Sequence, residues 1–172
     1  MTPFASHRLT KTSNAKIVYI MRKPYEERTE LEKIQSQWKK LSGLHTREEW
    51  SAAIIRAATA AELAANFAIR KEFESRSDFN TVFVDNLLRW ANGLAGKINR
   101  LLLPLSVGNK EKKKIMMSVK TAAETINRKR NSIVHQGEFC SKEEAREVIQ
   151  QAQNFIETLV KIYEPKFALR RK

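Results

Sequence analysis

The run Arg130-Asn131-Ser132-Ile133-Val134-His135-Gln136-Gly137 holds the residues best suited to chemistry on a phosphodiester. An imidazole titrates near neutrality, so it takes and returns protons under physiological conditions. A guanidinium offers a planar fork of donors to phosphate oxygens and to the charge that grows on them during reaction. His135 is therefore the candidate general acid and base, and Arg130 the candidate phosphate clamp. Asn131 adds a carboxamide that orients the histidine or holds the phosphate. On a helix drawn at about 100° per residue, Ile115, Val119, Ala122, Ile126 and Ile133 share one face, and Arg130 falls inside it. A guanidinium there is costly unless a carboxylate or a bound anion compensates it. Asn127, Asn131 and His135 recur at four-residue steps, a polar strip along one edge of the same helix. The plainer interpretation of His135 is a residue near a helix C-terminus that bonds a free carbonyl.

A second strip lies upstream, where Thr59, Glu62, Asn66 and Arg70 recur at three- and four-residue spacing within an otherwise apolar stretch. Glu62 matches Arg130 in charge and pairs with it if the two helices are neighbours. An ion pair with Arg70 or a solvated edge is the plainer alternative for Glu62. Cys140 is the one cysteine, so an internal disulfide is excluded, and three scattered histidines without a CxxC knuckle argue against structural zinc. No metal or cofactor is expected.

The elements that must position these strips are helices. Apolar residues make up 42% of the chain while glycine and proline number only 5 and 4, which favours long helices over many short strands. Residues 1–15 read as a loose tail or a partner-binding arm, and residues 16–21 as a short strand or extended segment. A first helix is expected from Pro24 to about Leu41, with Leu31, Ile34, Trp38 and Leu41 as its apolar stripe and Ser42-Gly43 as its end. Thr46 and Glu49 have capping-box spacing for a long central helix, about Arg47 to Glu74. A third helix is expected from Phe79 to Leu103, with Phe83, Leu87, Trp90, Leu94, Ile98 and Leu101 inward, then a turn from Pro104 to Gly108. Asn109 caps a fourth helix, Lys110 to His135, and Gly137 suits the position past its end. Ser141 and Glu144 form a second capping box for a fifth helix reaching about Tyr163. Ala145, Val148, Ala152, Phe155, Leu159 and Ile162 line that helix, and Pro165 stops it. The expected fold is all-α, an up-down bundle of four core helices over 46–164. An extension with one amphipathic helix covers 1–45, and a basic tail covers 165–172.

Basic residues outnumber acidic ones 32 to 19, a formal net charge of +13. Such an excess attracts polyanions, nucleic acid first. Lys112, Lys113, Lys114 and Arg128 are candidate RNA contacts, with a solvated face as the alternative for each. No run approaches the roughly 18 consecutive apolar residues that cross a bilayer, and no apolar stretch near Met1 suits a signal peptide. A reducing, cytoplasmic setting without a membrane partner is the expectation.

Arg130-Asn131 followed by His135 and Gly137, closing a long bundle helix, resembles the Arg-x4-6-His signature of the HEPN superfamily (higher eukaryotes and prokaryotes nucleotide-binding). Many members carry an RN-x3-HG version; here Gln136 stands between the histidine and the glycine. The resemblance covers residues 46–163, four helices with the motif at the end of the third. Glu62 resembles the acidic residue that many members carry in an earlier helix. The likeness implies a metal-independent endoribonuclease in which the 2′-hydroxyl attacks the adjacent phosphorus, leaving a 2′,3′-cyclic phosphate and a 5′-hydroxyl. Arg130, Asn131 and His135 would be catalytic; Glu62, with Asn66 and Asn127 from the two polar strips, would support them. A homodimer is implied as well, because active members bring two motifs into one cleft, and one histidine is a poor acid-base pair by itself. The implied role is a toxin or antiviral defence effector restrained by an antitoxin or other regulatory protein. Toxins controlled by a nucleotidyltransferase antitoxin usually carry a tyrosine two residues after the histidine; Gly137 occupies that place, which argues against that form of control. The alternatives are a catalytically inactive HEPN-like module that binds nucleotide, RNA or a partner protein, and a basic scaffold without a site.

Overall fold

Alanine sets the architecture. Helix α2 (Trp50–Glu74) carries Ala53, Ala57, Ala60, Ala61, Ala64, Ala65 and Ala68 fully buried, with Ile54 and Ile69 equally enclosed. Side chains this small let neighbouring backbones come close, and α1 (Glu30–Thr46), α4 (Gly93–Lys97), α6 (Lys110–Gln136) and α7 (Lys142–Lys161) all pack on α2. The computed structural model describes residues 23–76 and 79–170, so the expected arm over 1–15 and the segment 16–21 lie outside it. Among the described residues all regular structure is helical. By length and composition α2 could cross a membrane, yet 61% of its apolar window is buried inside the protein, as in a core helix.

Helix α1 starts and stops later than its sequence suggests. Its N-cap is Thr29, whose Oγ1 accepts from the Glu32 amide while the Thr29 amide donates to the Glu32 carboxylate at 2.7 Å. Pro24 instead opens a turn closed by the Glu27 amide on its carbonyl. Ser42-Gly43 does not end the helix, because Gly43 sits on its open face and needs no left-handed backbone. Ile34, Trp38 and Leu41 are buried as expected, and Leu31 is half-buried. The Thr46–Glu49 capping box does not form: Thr46 donates to the Ser42 carbonyl, Glu49 accepts from Arg47, and α2 begins without a side-chain cap.

The expected third helix is broken. Helix α3 (Thr81–Trp90), capped by Asn80, ends at Ala91, and the chain restarts at Gly93 with φ 71°. It continues as α4, a single π-helical turn (Ile98–Leu102) and α5 (Leu103–Leu105), which holds Pro104 in its first turn. Leu94, Ile98 and Leu101 face inward as expected. Phe83 and Trp90 do not; they are 42% and 60% exposed, while Val84 and Leu88 are the buried pair of α3.

Local signals hold best in α6 and α7. Asn109 accepts from the Lys112 amide, Gly137 takes the left-handed conformation with φ 68°, and Ser141 and Glu144 form the capping box. The buried stripe of α6 is Met116, Val119, Ala123 and Ile126, rotated slightly from the expected one, so that Ile115, Ala122 and Ile133 lie at its margin. Short connections over 47–49 and 137–141 turn α2 back along α1 and α7 back along α6. Beyond Pro165 the basic tail packs back on the bundle as far as residue 170. Leu169 is buried, its amide donates to Glu157, and Gln35 brackets the Arg170 backbone with two hydrogen bonds.

Candidate active site

The last turns of α6 carry Asn127, Arg130, Asn131 and His135 to a cavity of about 250 Å³. Thr59 and Glu62 from α2 line it too, and so does the break before α4 at Asn92, Gly93 and Leu94. Two sequence strips more than sixty residues apart thus meet at one opening. Asn127 ties the break to α6: its Oδ1 accepts from the Leu94 amide at 3.2 Å. A Cβ on Gly93 would sit 3.0 Å from that same oxygen, so close approach and positive φ both call for glycine there.

Arg130 is half-buried, and its Nη1 donates to Asn131 Oδ1 at 3.0 Å and contacts His135 Nε2 at 3.2 Å. A guanidinium can only donate. The contact is a hydrogen bond in the tautomer that leaves Nε2 unprotonated, with that nitrogen accepting from the arginine. Among the described residues no carboxylate lies within ion-pair distance of Arg130. The expected Glu62–Arg130 pair is absent. Glu62 instead accepts from Lys97 Nζ at 2.7 Å, with the lysine 5% and the carboxylate 40% exposed. The reason is Lys97, which is buried in the same register as Leu94, Ile98 and Leu101 and so sets an ammonium from α4 against α2. Arg70 is not the partner of Glu62 either; it pairs with Glu30 and Asp85.

With Glu62 compensated by Lys97, the guanidinium of Arg130 is the unbalanced charge in the cavity. Such a site favours an anion. A larger hollow of about 770 Å³ between α6 and α7 contains Arg128 but also Glu138, Glu144 and Glu147, a poorer place for a phosphate. There Lys129 is held by Glu138 at 2.5 Å and Glu144 at 2.7 Å. Hydrogen bonds from Lys129 and from the Ser141 amide bring the Glu144 carboxyl down to about 2.

Asn66 lies outside the cavity, and its Oδ1 is buried without a hydrogen-bond partner. Lys112 is committed to Glu72 at 2.5 Å and stands over the Tyr163 ring; Lys113, Lys114 and Arg128 are exposed. Sequence reasoning missed Lys97, Asn92 and Gly93. The Asn-Gly pair is a turn signal that was legible. Lys97 stands in the inward register of Leu94, Ile98 and Leu101, where a lone cation signals a buried partner. No three His, Cys, Asp or Glu side chains converge on a possible metal site among the described residues. No family model, curated protein or solved structure matches the chain.

Proposed function

We propose that this HEPN-like helical bundle is a metal-independent endoribonuclease, acting as a toxin or antiviral effector. One observation carries the proposal: a half-buried arginine, without a carboxylate partner among the described residues, bonds an imidazole at the mouth of a polar cavity. In the reaction, Arg130 releases the imidazole and turns its donors to the phosphate oxygens. The 2′-oxygen attacks phosphorus as its proton passes to a basic imidazole nitrogen. The bond from phosphorus to the 5′-oxygen breaks as an imidazolium gives that oxygen a proton. Base and acid are then two rings, and a twofold homodimer supplies both. Val134 and Phe139 flank His135 and are 43% and 90% exposed, apolar surface suited to that contact.

The test is incubation with single-stranded RNA in excess EDTA. Wild type is expected to cut, and His135→Ala to lose about 10²- to 10⁴-fold in rate with its folding unchanged. Activity that survives the substitution would assign the cutting elsewhere. A second reading, RNA or nucleotide binding without cleavage, is favoured by one feature, since the basic nitrogen of His135 is already occupied by Arg130. Intact RNA with retained binding would select it.

A further inference from the structure

Trp90 is 60% exposed at the C-terminal end of α3, an unusual place for so large an apolar ring, and the Arg100 guanidinium stands over it at 5.4 Å from the centroid. The residues that follow lead straight to the cavity. Ala91 is fully buried, and Asn92 and Gly93 line the opening. At about 3.8 Å per Cα step, the Trp90 backbone lies within about 8 Å of that of Asn92, a residue of the cavity rim. The Asn127 bond to Leu94 and the restricted backbone at Gly93 fix this rim against α6.

We infer that Trp90, backed by Arg100, is a stacking subsite for an unpaired nucleobase adjoining the phosphate held at Arg130. The inference rests on the anion cavity proposed above and names its substrate class: single-stranded RNA. An aromatic ring accepts the face of any base, and a stacked guanidinium adds positive charge towards the neighbouring phosphates. A duplex keeps its bases stacked on one another and presents no free face. Charge favours this occupant over a protein. Arg100 stands over the ring and the preceding residue, Arg89, is exposed as well, in a chain with net charge +13. The other exposed aromatics of this region, Phe79 and Phe83, stack on each other at the opposite end of α3 and form a separate cluster with Phe73.

Fluorescence titration tests the subsite. Trp38 is buried and Trp50 half-buried, so Trp90 is the tryptophan most open to quenching by a stacked base. In a His135→Ala background, which prevents cleavage, a short single-stranded oligouridylate is expected to quench the emission, and Trp90→Phe to abolish the quenching. Trp90→Ala should weaken single-strand binding by about 5- to 100-fold, Trp90→Phe by less, and neither should alter binding of an equally long RNA duplex. Equal single-strand affinity in Trp90→Ala and its parent overturns the inference. So does absence of RNA binding by the parent, or emission that changes with protein concentration alone together with self-association lost in Trp90→Ala, which would make the ring a protein contact. Trp90-dependent binding by a wild type that cuts no RNA would sink the nuclease reading and leave the subsite standing. Cleavage with Trp90-independent binding would do the reverse.

Discussion

Helix α2 carries two glutamates in ion pairs of opposite construction. At Glu72 the carboxylate is buried, 3% exposed, and its partners lie nearer the surface: Lys112 at 2.5 Å, Arg76 at 2.9 Å and the Tyr163 hydroxyl at 2.6 Å. At Glu62 the ammonium of Lys97 is the buried member, and the carboxylate opens on the cavity with that lysine as its one ion-pair partner among the described residues. The first cluster is saturated and closed, joining α2, α6 and the segment after α7. The second leaves carboxylate lone pairs facing a space that also holds an unpaired guanidinium. Saturated charge fixes a fold; charge left open to solvent beside a cavity is available to a ligand.

The comparison breaks if the two lysines behave alike. Lys97→Met should free Glu62 to capture Arg130 and lower RNA cleavage by about 100-fold, while stability to denaturant changes by less than about 1 kcal/mol. Adding Glu62→Gln to it should restore most of the rate. A rate that falls only in step with the folded fraction would make Lys97 a structural residue like Lys112. Glu72→Gln should do the opposite, costing about 3 kcal/mol in urea unfolding with unchanged cleavage per folded molecule.

Acid sharpens the contrast. Burial alone would raise the Glu72 carboxyl, but hydrogen bonds from Lys112 and Tyr163 and the charges of Lys112 and Arg76 offset it and hold the group below its ordinary range. The folded state therefore favours the ionised form. Its contribution is complete above about pH 4.5, the ordinary carboxylate value, and fades as pH falls further. Unfolding curves between neutral and acidic pH should show that loss in wild type, and a flatter response in Glu72→Gln. The smallest effect lies far from both clusters. Gly43→Ala in α1 meets nothing within 4 Å and should stabilise the protein by about 0.5–1 kcal/mol, visible as a higher denaturation midpoint.

What was legible in the sequence follows from how local each cause is. Asn109, Gly137 and Ser141 act on backbone groups within a few residues, so the bounds of α6 and α7 could be read from them. Thr29 and Glu32 act just as locally at the start of α1; Pro24 drew the boundary away from them. The polar strip on α6 was visible because helical periodicity alone fixes which side chains share an edge. Its relation to Glu62 was not, since that depends on which helices become neighbours and on the Lys97 ammonium that α4 brings to Glu62. The exposure of Phe83 and Trp90 goes with the break at Asn92-Gly93. Inward register over 79–103 holds only for a continuous helix, and the chain restarts at Gly93 in a new one.

The central claim is that Arg130 and His135 direct a 2′-oxygen onto its own phosphodiester. Mapping the ends of RNA fragments produced in EDTA tests it most directly. Wild-type protein should leave 2′,3′-cyclic phosphates and 5′-hydroxyls, and neither Arg130→Ala nor His135→Ala should leave them at a comparable rate. Fragments ending in 5′-phosphates, or undiminished cutting by either variant, would contradict the account.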